Sequence, residues 1–315
     1  MLCLISRRRL DKFINILIDI FCMVDSIINC DTPSKAQVVL LAANYDITSS
    51  FGKGSYRGPQ AIKNCLDMQI EFYEPYTGTV PRDLYKILYI DVGDLNRLRP
   101  EEMIKKLATE FKKHYNAGKF IITLGGEHSV SIAPFQVIAG KHSDEITVLQ
   151  IDAHADLKND DSDHFDKPFG KYAHGCVMRR AHELGLKTVQ VGIRVYSKDE
   201  QEFMSANDLT VFKWNQEKLP SIEEIIDSIK TERVYLTIDV DGIDPAYMPA
   251  TGAPAQEGLE WRYTMNLMRQ LAQKKDIIAA DIVEVAPRDA DALTEYGAAQ
   301  MCYNLIAFKM VKGKR

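Results

Sequence analysis

The stretch 149–157, LQIDAHADL, sets Asp152, His154 and Asp156 at alternate positions straight after an apolar run. If that run is extended, alternate side chains point the same way. Two carboxylates and an imidazole would then converge on one small volume. Such a group either holds a cation or strains the fold; the other reading of this stretch alone is a solvated strand end. Three further segments bear on the choice. GGEHS delivers His128 after a glycine pair that permits a tight turn, LTIDVDGIDP delivers Asp239 and Asp241 two positions apart, and DIVEVAP delivers Glu284. Alone, His128 would pass for a packed histidine and the DxD for a solvated turn. Together the motifs supply two imidazoles and four aspartates. One divalent ion cannot use all six and stay open to substrate, whereas two ions sharing bridging carboxylates can. Oxygen-rich donor sets suit hard ions such as Mn2+ over zinc. Two such ions would hold a water and lower its pKa from about 16 towards neutrality. Four aspartates balance two divalent ions, hydroxide leaves one negative charge and Glu284 adds another. A small cationic substrate fits that balance. A phosphate ester does not, because no arginine or lysine cluster accompanies these motifs.

The elements that must position these groups are legible from residue 37 onward. Apolar runs at 37–43, 86–92, 119–124, 146–152, 188–193, 209–213, 234–240 and 277–285 read as strands buried on both faces of a parallel sheet. Between them lie amphipathic stretches. One has Met103, Leu107, Phe111 and Tyr115 near a helical period, with Pro100 at its start and Gly118 at its stop. Another repeats the pattern with Ile222, Ile225, Ile226 and Ile229. Strands alternating with helices predict an α/β fold around a mostly parallel sheet. Ligands in such folds bind at the carboxyl ends of strands, and every acid and histidine cluster here sits at one.

Composition narrows the classes further. Hydrophobic content of 46%, charged content of 26% and a net charge of −5 fit a globular protein and argue against nucleic-acid binding. The six cysteines are scattered without zinc or redox spacing, which suggests a reducing cytoplasm and no disulfide framework. Cys176 reads as a packing residue. Residues 1–31 place apolar residues before the arginines and break the later apolar stretch with Asp19. That matches neither a secretory signal nor a membrane span. An accessory amphipathic helix or a misplaced start is expected there, with a single catalytic domain over 32–315.

GGEHS, DAHAD, YAHGCVMRRA, DVDGIDPAYMPATGAP and DIVEVAP, in that order, resemble the ureohydrolase family, which includes arginase and agmatinase. The match runs from about Val38 to Phe308. The resemblance implies a three-layer αβα sandwich with a central eight-stranded sheet, two Mn2+ per chain and hydrolysis of a guanidino group to urea and an amine. It also implies a homo-oligomer, trimer or hexamer. By the same resemblance His128, Asp152, Asp156 and Asp239 would hold the first ion. Asp152, His154, Asp239 and Asp241 would hold the second, with Asp152 and Asp239 bridging. His174, which alone would pass for a surface histidine at a helix start, takes the place of the proton-shuttling histidine. Glu284 takes the place of the acid that holds the guanidinium, and Asp156, His174 and Glu284 are expected to serve the chemistry directly. Two positions depart from the family pattern. Glu257 stands where a glycine is usual and could alter the loop bordering the substrate entrance, and Glu127 replaces the commoner aspartate before His128. Neither removes a ligand.

Within the family, Lys158 and the run that follows look more like the agmatinase branch than the arginase branch. Agmatine is therefore the expected substrate, with arginine and guanidinobutyrate as alternatives. Asp160, Asp161, Asp163 and Asp166 follow Lys158; lining the entrance they would attract an amine tail and repel a carboxylate, and pointing away they would only be solvated. Lys158 itself could bind a carboxylate. Rival readings are a single-zinc deacetylase of related fold, and a catalytically silent relative acting as a subunit or binding module. The full ligand set argues against both.

Overall fold

Eight apolar runs become eight strands: β1 Val38–Ala43, β2 Ile87–Asp91, β3 Phe120–Gly125, β4 Ile146–Ile151, β5 Lys187–Ile193, β6 Thr210–Lys213, β7 Arg233–Asp239 and β8 Asp276–Val283. This computed structural model describes residues 26–68, 70–164, 169–289 and 292–310. Most of the segment 1–31 assigned as accessory thus lies outside the described residues, as does Asp166. The strands form one sheet in the order β2-β1-β3-β8-β7-β4-β5-β6. Every pairing is parallel, so the sheet is wholly parallel.

Neighbouring residues of a strand feed opposite layers. On β1, Val38 and Leu40 enter one core while Val39 and Leu41 enter the other. Tyr235 on β7 likewise faces away from Val234 and Leu236. This two-sided burial is why the strands read as unbroken apolar runs. The first core is closed by helices Gly58–Met68, Trp261–Lys274 and Leu293–Met310, through Ile62, Leu271 and Ile306 among others. The second is closed by helices Pro100–Asn116 and Ile132–His142, with Met103, Leu107, Phe111 and Phe135 fully buried. The result is a three-layer αβα sandwich.

Local signals hold at the helix ends. Pro100 occupies the first turn, where its missing N–H costs nothing, and Gly118 takes a φ of 70° beyond the last turn. Helix Ile222–Ser228 starts at a capping box, with Ser221 Oγ accepting from the Glu224 N–H and Glu224 Oε2 accepting from the Ser221 N–H. Among the described residues, no helix is long and apolar enough to cross a membrane. The four strands that end in ligand motifs are β3, β8, β7 and β4, which stand side by side in the middle of the sheet.

Candidate metal centre

His128 opens a short 3-10 turn just after β3. The turn demands Gly126 through close packing: a Cβ there would lie 1.9 Å from the Tyr45 carbonyl oxygen. The His128 imidazole is 1% exposed. Its Nδ1 lies 3.1 Å from Asp152 Oδ2, 3.0 Å from Asp156 Oδ2 and 3.5 Å from Asp239 Oδ2. Its Nε2 lies 2.8 Å from Thr237 Oγ1, which donates to Asp281 Oδ1. Tyr235 donates its hydroxyl to the other Asp281 oxygen. A threonine hydroxyl has one proton. With that proton given to Asp281, Thr237 must accept from His128 Nε2–H. The Nδ1 lone pair then faces three carboxylate oxygens, and this buried nitrogen has no hydrogen-bond partner among the described residues. A cation fits such a place, and an outer carboxylate relay is the usual support of a ligating imidazole.

A second group adjoins the first. His154 Nδ1 lies 3.0 Å from Asp241 Oδ2 and 3.6 Å from Asp152 Oδ1. Asp152 therefore offers one oxygen to each imidazole, which is the geometry of a bridging carboxylate. Gln150 donates to its Oδ2, and Gln190 donates to Gln150 from the next strand. Two groupings of ligand atoms result: His128, Asp152 and Asp156, and Asp152, His154 and Asp241. Asp239 joins the first through its 3.5 Å approach to His128, while its Oδ1 accepts from the Asp241 N–H.

The backbone does more than alternate. β4 ends at Ile151, and Asp156 reaches the cluster through a left-handed φ of 53°, a conformation that non-glycine residues adopt at a cost. Its carbonyl is tied down by the N–H groups of Met178 and Arg179. Glu284 repeats the pattern. β8 ends at Val283, one residue short of it, and Glu284 turns with a φ of 64°. Its N–H donates to the Gly126 carbonyl. Its Oε1 accepts from the His128 N–H and lies 3.2 Å from His174 Nδ1. The other nitrogen of His174 meets Ser50, at 2.9 Å from its Oγ.

The electrostatics describe a site hungry for positive charge. Burial by itself would lower the His154 imidazole, but Asp241 and Asp152 lift it to about 12. Burial, with the Asp152 charge beside it, pushes Asp156 up to about 6. Burial and the neighbouring aspartates push Asp239 far above the carboxylate range. Asp152 goes the other way, because its two imidazoles outweigh its burial. Protons retained on buried acids and imidazoles are what divalent ions displace when they bind. The residues present fit a two-ion site.

Sequence reasoning missed Arg194 and the Thr237–Asp281 relay, and it marked Glu127 and Glu257 only as departures from the family pattern. Arg194 donates to five backbone carbonyls, those of Gln256, Gly192, Gly242, Asp241 and Ala255. It pins the Asp241 turn to the loop after Thr251. Glu127 is fully buried and accepts from Thr48 and Ser129, which fastens the loop that carries Ser50. Glutamate, one methylene longer than aspartate, spans that gap. Glu257 is exposed, takes a φ of 62° and does not line the cavity; the glycine usual there would sit at ease in that conformation. The cavity over the ligands measures about 190 Å³, and its wall includes Phe51, Lys158, His174, Glu200 and Glu284. Of the acids after Lys158, Asp160, Asp161 and Asp163 are not part of that wall, and Asp161 is buried against Lys158 instead. Cys176 is a buried packing residue.

Fold and site define a class: a parallel αβα sandwich bearing two adjoining carboxylate–imidazole groups at its central strand ends. The profile of the Arginase family matches residues 36–307, and the chain belongs to that family. It is 34% identical over 283 residues to the N(1)-aminopropylagmatine ureohydrolase of Synechocystis sp., covering 87% of this chain and 90% of that one. It is 31% identical over 261 residues to the agmatinase of Bacillus anthracis, covering 80% and 84%. Among solved structures, the agmatine ureohydrolase of Thermoplasma volcanium superimposes with a TM-score of 0.80 at 27% identity, over 94% of this chain and 97% of that one. The protein is a hydrolytic enzyme of this family.

Proposed function

We propose that the enzyme releases urea from a small cationic guanidino compound, agmatine in the first place, giving putrescine and urea with two Mn2+ bound. The observation that carries this reading is the meeting of the two ligand groups with the Glu284–His174 pair on one cavity wall. His128, Asp152 and Asp156 would hold one ion, Asp152, His154 and Asp241 the other, with Asp239 beside them as the second bridge. When bound, such ions acidify water so that hydroxide is available at neutral pH.

The chain's own residues do the rest. A guanidinium is planar and resonance-stabilised, so attack at its carbon must be oriented. Glu284 is fixed through Oε1 and turns Oε2 towards Gly252, where a carboxylate oxygen can accept charge-assisted hydrogen bonds from the guanidinium. When the carbon–nitrogen bond to the tail breaks, the departing amine needs a proton. His174 holds one at Nδ1 against Glu284, and its Nε2, which accepts from the Ser50 N–H, can take a second with the Ser50 hydroxyl oxygen as its acceptor. That is the position of a general acid that passes a proton to the leaving nitrogen and recovers it from solvent. Phe51 and Val195 are exposed apolar residues of the cavity wall and suit an aliphatic tail.

The test is urea release by Mn2+-loaded protein from agmatine, N(1)-aminopropylagmatine, arginine and guanidinobutyrate side by side. Agmatine or its aminopropyl derivative is expected to give the highest kcat/KM. Preference for arginine would overturn the substrate while leaving the amidinohydrolase reading standing. The family resemblance also supports a trimer or hexamer and the scattered cysteines a cytoplasmic setting, which light scattering and cell fractionation test.

A further inference from the structure

Lys158 is the one lysine or arginine among the described residues of the cavity wall. It does not dangle there. Its backbone N–H donates to the Gly175 carbonyl, and its stem lies along Gly175, where a Cβ would meet its Cδ at 3.5 Å and its Nζ at 3.9 Å. The ammonium is thereby set beside Gly175, the residue after His174. Asp161, 4% exposed, accepts from it at 2.9 Å. The acid is in turn fixed from behind. Its N–H donates to the Gly170 carbonyl, and Gly170 packs so tightly that a Cβ would sit 2.7 Å from the Ser162 nitrogen. His164 Nδ1 lies 3.1 Å from the same Asp161 oxygen.

From this arrangement we infer that Asp161 is a specificity-determining residue: by holding the partly exposed Lys158 ammonium in an ion pair with a buried carboxylate, it keeps the cavity wall from recruiting a substrate whose tail ends in a carboxylate. An unpaired ammonium beside a guanidinium-binding acid would be a carboxylate anchor, since opposite charges in a partly desolvated wall attract strongly. Paired with Asp161 it is neutral, and Glu200 in the same wall leaves the balance in favour of an amine tail. The acidic stretch after Lys158 thus acts on selection from behind the wall, through one residue, rather than by lining the entrance.

The inference rests on the urea-releasing reading above and is tested with the full Mn2+-loaded chain. The quantity is the ratio of kcat/KM for guanidinobutyrate to that for agmatine. Asp161→Asn keeps shape and removes the charge; the ratio is expected to rise about tenfold. Lys158→Gln removes the ammonium and should move the ratio the other way. Adding Lys158→Met to Asp161→Asn should cancel the rise. Thermal midpoint and metal content report whether each variant is folded, and the opposite signs of the two single changes keep the idea testable if one does not fold. An unmoved ratio in a folded variant, movement of both variants in one direction, or a rise that survives loss of the lysine overturns it. Wild-type protein that releases urea from none of agmatine, N(1)-aminopropylagmatine, arginine and guanidinobutyrate sinks the underlying reading instead.

Discussion

His128 and His154 both aim Nδ1 at Asp152, yet their surroundings differ: one imidazole is 1% exposed and the other 28%. Behind His128 stands a relay of Thr237, Asp281 and Tyr235, three side chains on the two central strands β7 and β8. His154 stands at the cavity wall instead, and its neighbourhood is organised through Asp241 and the Arg194 clamp. The inner half of the centre is preorganised by the core. The outer half is built by loops that line the cavity. The inner ion should therefore be held by geometry already in place, and the outer ion should exchange first.

The change that breaks both halves at once is Asp152→Ala. It should cost about a thousandfold or more in turnover, beyond the 10–100-fold typical of losing an outer partner, with metal content falling below two ions per chain by elemental analysis. Near-normal turnover would dismiss the shared-carboxylate arrangement. His174→Ala should separate metal binding from chemistry. Metal content is expected to stay the same while kcat falls about 10²–10⁴-fold, with partial rescue by added imidazole. Thr237→Val sharpens the contrast between halves. Inner-ion affinity should fall about 10–100-fold while the outer site is little changed, as read by Mn2+ titration calorimetry; weakening of the outer site instead would refute the assignment of inner and outer.

In chelated protein the proton-carrying pair has a pH signature. Burial opposes charge on His174, but the hydrogen bond and charge of Glu284 win and raise it to about 9. Its contribution to stability is then complete below an unfolded-state value near 6.5 and lost as pH rises through about 9. Denaturant unfolding of wild type and His174→Ala in chelator should show a difference at pH 6 that shrinks by pH 10. The smallest effect concerns the outer loop: Glu257→Gly should relieve its left-handed backbone and stabilise by about 1 kcal/mol, seen as a raised melting temperature.

How much of this was legible beforehand depends on the kind of information each residue needs. Strand positions came from hydrophobic runs because burial on both sheet faces leaves no polar alternation to blur them. The ligand types stood out because acids and histidines directly after such runs are rare without a purpose. Strand ends were less clear. The run 277–285 reads through Glu284, but the chain turns at that residue, and nothing in a glutamate announces a positive φ. Arg194 and the Thr237–Asp281 relay were invisible for a related reason. Each is an ordinary residue type whose importance lies in partners far along the chain, five carbonyls in the case of Arg194.

By itself the sequence determined which side chains could bind cations, that each follows a strand, and that their charges favour a cationic substrate. It could not say which of those strands are neighbours. Along the chain the ligand-bearing strands run β3, β4, β7, β8; across the sheet they run β3, β8, β7, β4. Only that reordering sets Glu284 against His128 and Asp241 against His154. Tertiary structure also decided that Lys158 joins the cavity wall while its partner Asp161 stays out of it. Adjacency across a parallel sheet depends on crossover connections and on how two cores pack, and these are properties of the whole chain rather than of any motif.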